Sequence, residues 1–181
     1  MPSKRGYTIL INTWKRNNLL KKSVQHYASC SGVDSIHIIW SEADPPSDSL
    51  FFYLNRVVDK SSRDDRKIEL LFDLNVEDSL NNRFKDIKEL TGDAILSIDD
   101  DVLFSCHSVE FAFSVWQSAP STLVGFVPRK IEEMGSSGIS SLGGHNERRS
   151  RCLNDFVALY GRMPLVATTV KAVEGRDDWF W

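Results

Sequence analysis

Three consecutive carboxylates, Asp99-Asp100-Asp101, end the apolar run Ala94-Ile95-Leu96-Ser97-Ile98. Neighbouring like charges raise one another's pKa, and a divalent cation is a common remedy for the repulsion. Hard carboxylate oxygens suit Mg²⁺ or Mn²⁺, which keep some waters and take phosphate oxygens as further ligands. Two blander readings compete: acids in a solvated loop, or caps for a helix that follows. A calcium loop is excluded even though Glu110 stands at the twelfth position from Asp99. Phe104 occupies the position that must be glycine, and Leu103 replaces an oxygen ligand.

Cations are spaced so that they could answer those acids. Arg16 lies in Thr13-Trp14-Lys15-Arg16-Asn17 and Arg83 in Asn81-Asn82-Arg83-Phe84. A planar guanidinium fork suits a nucleotide base or a diphosphate, although either residue alone also reads as an ordinary surface charge. His145, Arg148 and Arg149 follow a Gly/Ser-rich stretch over 132–144 and fit either a diphosphate grip or a solvated helix start. Trp14, Trp40 and Trp116 read as core residues rather than cofactor platforms.

Strands and helices in alternation must position these groups. Tyr7–Ile11 and Ile36–Trp40 are continuous apolar runs, as expected for strands buried on both faces. Residues 68–74, 94–98 and 123–127 add three more candidate strands. Helical spacing covers 19–30, 50–58, 81–90 and 108–117, and the charged stretch 59–67 reads as a loop. The pattern predicts βαβ units and a mostly parallel sheet flanked by helices, an α/β fold. In open sheets of this kind the ligand crevice lies beyond the carboxyl ends of the strands, where Asp99–Asp101 should sit.

Bulk properties narrow the function classes. The 181 residues are 41% hydrophobic and 26% charged, with a net charge of −3. That describes a globular chain of about one domain and gives no polyanion footprint, so nucleic acid is not an expected partner. No stretch is long and apolar enough to span a bilayer, and no signal peptide is visible. Cys30, Cys106 and Cys152 are odd in number and form no CxxC pair, which argues against a disulfide framework or a structural zinc.

Several blocks, in order, resemble the exostosin-like glycosyltransferase family 64. They are Tyr-Thr-Ile-Leu-Ile-Asn-Thr-Trp-Lys-Arg-Asn (7–17), Leu-Asn-Asn-Arg-Phe (80–84) and Ser-Ile-Asp-Asp-Asp-Val (97–102). Glu-Phe-Ala-Phe-Ser-Val-Trp-Gln (110–117) and Val-Gly-Phe-Val-Pro-Arg (124–129) continue the series. The nearest flavour is that of plant members that glycosylate inositol-phosphoceramide lipids. The resemblance implies a GT-A (Rossmann-like) fold, a UDP- or GDP-sugar donor, Mn²⁺ (or Mg²⁺) and a lipid or glycan acceptor. The transferred sugar would be a hexosamine, N-acetylhexosamine or mannose. It also implies that Asp99 and Asp100 face ribose and sugar, that Asp101 ligates the metal, and that Arg16, Arg83 and, less directly, Asp78 contact nucleotide. A Golgi membrane, lumenal side, is the implied location, although the chain shows no anchor.

The resemblance resumes in Gly-Ser-Ser-Gly-Ile-Ser-Ser-Leu-Gly-Gly-His (135–145) and Cys-Leu-Asn-Asp-Phe (152–156), placing His145 and Arg149 at diphosphate-contacting positions. Between Arg129 and Glu132 the family carries a long acceptor-side segment with an acidic Cys-Glu-Asp-Ile-like motif, and this chain has no such motif. The expected organisation is therefore a nucleotide-sugar-binding half over 6–130, joined near Lys130-Ile131 to a closing segment over 131–181. The fold would be truncated on its acceptor side, the catalytic carboxylate deleted and Cys152 left without its family partner. Two function classes follow: a metal-dependent glycosyltransferase, or a truncated homologue that binds nucleotide sugar or a partner without turnover. A Mg²⁺ phosphotransferase is a third, but its aspartate nucleophile should follow the first strand, where Asn12-Thr13 stands.

Overall fold

The computed structural model describes residues 6–63, 66–87, 89–90 and 92–126. Its elements, in chain order, are β1 (Tyr7–Thr13), α1 (Asn17–Ala28), β2 (Val33–Trp40), α2 (Asp48–Ser61), β3 (Glu69–Leu74), a 3-10 helix (Leu80–Phe84), β4 (Ala94–Asp99) and α3 (Cys106–Ser118). Among the described residues the four strands all pair in parallel, in the order β3-β2-β1-β4. The α/β reading of the sequence is thereby borne out.

Strand order explains the burial pattern. β1 and β2 are central, and all seven residues of β1 are buried, which a continuous apolar run permits. β3 and β4 lie at the edges and are only partly buried. From β1 the chain moves outward through β2 to β3, then returns to lay β4 on the other side of β1. The winding direction therefore reverses between β1 and β4, and a crevice opens beyond their carboxyl ends at such a reversal.

Pairing in register sorts the side chains onto two faces. Ile9, Ile36 and Leu96 share one face, as do Ile11, Ile38 and Ile98. They join one apolar cluster with Leu20 and Val24 of α1, Leu50, Leu54 and Val58 of α2, and Val109 of α3. Leu50, Leu54 and Val58 recur every four residues, which puts them on one stripe of α2. Ser47 caps that helix by accepting the Leu50 amide at 3.3 Å, and Ser105 caps α3 by accepting the Ser108 amide at 3.1 Å.

Several expectations need correction. The helix expected over 81–90 is a short 3-10 turn ending at Phe84, and residues 123–126 form no strand. Helix α2 continues to Ser61, into the stretch expected to be a loop. Trp14 is 44% exposed instead of lying in the core. The cysteine parity was misleading: Cys30, just beyond α1, is disulfide-bonded to Cys106 at the start of α3, with Cα atoms 5.1 Å apart. Helix packing brings the two together across 76 residues of sequence, which no spacing rule registers. Residues 131–181, with Cys152, His145 and Arg149, lie outside the described residues.

Candidate functional site

The loop after β1 and the end of β4 meet at the reversal point. Lys15 turns the chain with φ 53°, a left-handed conformation uncommon for a residue with a side chain, and its amide donates to Glu42 Oε1 at 2.8 Å. The turn delivers Arg16 to the start of α1, where its carbonyl accepts the Leu19 and Leu20 amides. Its guanidinium spans two carboxylates: Nη2 lies 2.9 Å from Asp100 Oδ1 and Nη1 donates to Asp101 Oδ2 at 2.8 Å. Arg83, from the 3-10 helix, donates to Asp99 Oδ1. Asn82 beside it is buried and donates to Ser41 Oγ at 2.9 Å, which anchors that helix to the end of β2.

The three acids point in three directions. Asp99 is the last residue of β4 and pairs in register with Asn12, so it faces Arg83 on one side of the sheet. Asp100 turns inward: its side chain is fully buried, and the Thr13 hydroxyl donates to its Oδ2 at 2.7 Å. Asp101 points outward with a side chain 50% exposed. Burial raises the Asp100 carboxyl above the ordinary carboxylate value. The Thr13 hydrogen bond and the Arg16 charge oppose that rise, while Asp101 and Asp99 add to it.

These positions bear on a metal. The carboxylates do not converge, so they do not form a cage of three aspartates. What fits is a cation held by one or two carboxylates that takes its other oxygens from a ligand and water, the usual habit of Mg²⁺ in phosphate sites. Asp101 is open to solvent, and Asp100 Oδ1 is buried without an aligned hydrogen-bond donor despite the nearby guanidinium. The donor set is all oxygen, so the residues fit a hard divalent ion. The Arg16–Asp101 pair is half exposed on both sides, and such pairs are worth only about 0–1 kcal/mol. A diphosphate could therefore displace it with little loss of stability.

Of the residues expected at a site, Arg16, Arg83, Asp99, Asp100 and Asp101 come together. Asp78 does not join them; it is exposed in the turn before the 3-10 helix and forms no ion pair among the described residues. Thr13 was missed, although its place two residues beyond Ile11 at the end of the first apolar run was a usable signal. An apolar hollow of about 110 Å³ against β4 and α3, lined by Tyr7, Leu96, Val109, Phe113, Trp116 and Leu123, lies away from these acids. Ligand pockets usually measure about 300–1,000 Å³, so the hollow is too small for a nucleotide sugar. His26, Cys30 and Cys106 also bring potential metal-ligating atoms within 4.8 Å of one another, but both sulfurs belong to the disulfide.

Comparison with known proteins identifies the family. The family model "Glycosyl transferase family 64 domain" matches residues 7–138 and 130–176. Glycosylinositol phosphorylceramide mannosyl transferase 1 of Arabidopsis thaliana is 44% identical over 265 aligned positions, covering 99% of the chain and 79% of that relative. The chain has 181 residues, so at least 84 of those positions are gaps in it. Exostosin-like 2 of Homo sapiens is 33% identical, covering 76% of the chain but 39% of its own length. Glucosamine inositolphosphorylceramide transferase 1 of Oryza sativa subsp. indica is 32% identical over 62% of the chain and 13% of its own length. Among the described residues no helix is long and apolar enough to cross a membrane. With a parallel sheet, a strand-end acidic run answered by two arginines, and a match that spans nearly the whole sequence, the chain belongs to glycosyltransferase family 64.

Proposed function

We propose that the chain binds a UDP- or GDP-sugar at the carboxyl ends of β1 and β4 and descends from enzymes that transfer that sugar to a lipid or glycan acceptor. The observation carrying this reading is the meeting of Asp99–Asp101 with Arg16 and Arg83 at the reversal point of the sheet. Arg16 and Arg83 offer planar donors to the diphosphate and base. Asp99 would face hydroxyl groups of ribose or sugar, and buried Asp100 would hold Arg16. Asp101 would hold Mn²⁺ or Mg²⁺, with Asp100 Oδ1 within reach of that role. The bound cation would offset charge on the departing diphosphate. The activities named for the Arabidopsis and rice relatives favour an inositol-phosphoceramide lipid as acceptor and mannose or glucosamine as sugar.

Calorimetric titration of UDP and then GDP, with and without Mn²⁺, tests the donor reading. Metal-dependent binding to one nucleotide, lost in Asp101→Ala, is the expected result. A folded chain that binds neither would overturn it.

A second reading, binding without turnover, rests on the gap of at least 84 positions in the alignment with the Arabidopsis relative. The two matched stretches meet at 130–138, where an acceptor-side segment is expected, and the Cys-Glu-Asp-Ile-like motif is absent from the sequence. Transfer assays with the nucleotide sugar that binds separate the readings. Product on an inositol-phosphoceramide acceptor supports the enzyme; nucleotide binding with neither transfer nor donor hydrolysis supports the binder.

A further inference from the structure

We propose that the last turn of α1, centred on Tyr27, is a positioning device that holds the segment carrying Asp100 and Asp101 in line with Arg16; the inference rests on the donor-site reading above. Residues 100–105 leave β4 without regular secondary structure, yet their backbone groups are fixed one after another. The Asp100 amide donates to the Asn12 carbonyl at 3.2 Å, and the Val102 amide donates back to Asp99 at 3.1 Å. The Tyr27 hydroxyl then donates to the Val102 carbonyl at 3.1 Å and accepts the Phe104 amide at 3.0 Å. Next, the Phe104 carbonyl lies 2.7 Å from His26 Nε2. A carbonyl cannot donate, so the proton in that bond belongs to the imidazole. Finally Ser105 caps α3, and Cys106 is bonded to Cys30.

His26, Tyr27 and Cys30 thus hold one irregular segment at successive points from the end of a single helix. That same helix begins directly after Arg16, whose guanidinium grips Asp100 and Asp101. One rigid element therefore sets the cation and the acids against each other. Tyr27 is wholly buried, where phenylalanine would fill the same volume. Its hydroxyl is the part that packing does not require, and it is the part that meets the acidic segment. Tyr27 touches no expected ligand position, so its role would be positioning and not catalytic.

Tyr27→Phe keeps the ring and removes the two hydrogen bonds. In the full chain it should weaken Mn²⁺-dependent binding of UDP or GDP, whichever the parent binds, by about tenfold, the scale of two buried hydrogen bonds. Exchange of the Phe104 amide, followed by NMR, should accelerate by at least about tenfold for the same reason. Val58→Ala in α2 serves as a control for general destabilisation: it should lower Tm and leave both the nucleotide Kd and Phe104 exchange unchanged. A Tyr27→Phe protein with parental Kd, or with a Phe104 amide as protected as in the parent, would overturn the proposal. So would equal effects from Val58→Ala. If the parent binds neither nucleotide, the donor-site reading fails by itself. Phe104 exchange then decides whether Tyr27 holds the segment: protection lost in Tyr27→Phe alone upholds that, and protection retained refutes it.

Discussion

The two faces of the sheet do different jobs with the same strands. On one, Ile9, Ile11, Ile36 and Ile38 pack into a single apolar cluster with residues of α1, α2 and α3. On the other, Thr8, Asn12, Ser35, His37, Asp73 and Asp99 alternate with Leu10 and Ile39. One pair there is hydrogen-bonded, Thr8 Oγ1 to Ser35 Oγ at 2.7 Å, whereas His37 Nδ1 lies 3.5 Å from Asp73 Oδ2 without an aligned hydrogen bond. The apolar face holds its position through area removed from water, which is non-directional and tolerant of detail. On the polar face a matched pair such as Thr8–Ser35 matters more, because a polar group left unmatched after burial is costly. The acids emerge where β4 runs out and meet partners from both sides, Thr13 and Arg16 on one and Arg83 on the other.

Breaking the helix-covered side should cost most. Cys106→Ser removes the disulfide that closes 76 residues, for which the chain-entropy model gives about 4 kcal/mol. Urea denaturation of the oxidised parent and the variant measures the difference; a loss below about 1 kcal/mol would mean the bond adds little to helix packing. Ile38→Ala, fully buried in the apolar cluster, should destabilise by about 3 kcal/mol through lost transfer energy and a residual cavity.

The polar face should respond by a different rule. Thr8→Val should cost about 1–2 kcal/mol because it leaves the Ser35 hydroxyl buried without its partner. Adding Ser35→Ala should recover most of that loss, a double-mutant coupling that apolar contacts would not show. If the double variant is as unstable as the sum of the singles, the pair is not a matched unit.

The smallest expected effect carries the most information about the acids. Burial raises the Asp100 pKa in the folded chain, so its charged form disfavours folding at pH above that folded value. The penalty is relieved as pH falls through the folded pKa and is gone below the unfolded carboxylate value. Asp100→Asn should therefore raise Tm slightly at pH 7, with a gain that shrinks on acidification. The same variant should weaken metal-dependent nucleotide binding. A lower Tm at pH 7 would show that the Arg16 and Thr13 contacts outweigh burial.

Much of this was legible before any coordinates. The uninterrupted apolar runs at Tyr7–Ile11 and Ile36–Trp40 had to be buried strands, and the helical stripes of α1 and α2 followed from spacing alone. The acidic run at the end of β4 announced itself through its own repulsion. The stretch 81–90 misled because local helical pattern was not matched by a face to bury, and only a 3-10 turn formed around buried Asn82. Trp14 misled because aromatic size suggests burial, whereas the turn at Lys15 leaves it in solvent.

Local periodicity, charge and residue type, all carried by neighbours in the chain, established the elements and named the acids as a site. Tertiary structure decided which partners they have. Arg16 is 85 residues from Asp101 and reaches it only because β4 lies beside β1 and not beyond β3. The Cys30–Cys106 bond and the inward turn of Asp100 toward Thr13 have the same origin. Periodicity records which way a side chain faces within its own element. It holds no record of which strand will be the neighbour, because that choice is made by packing between segments far apart in sequence.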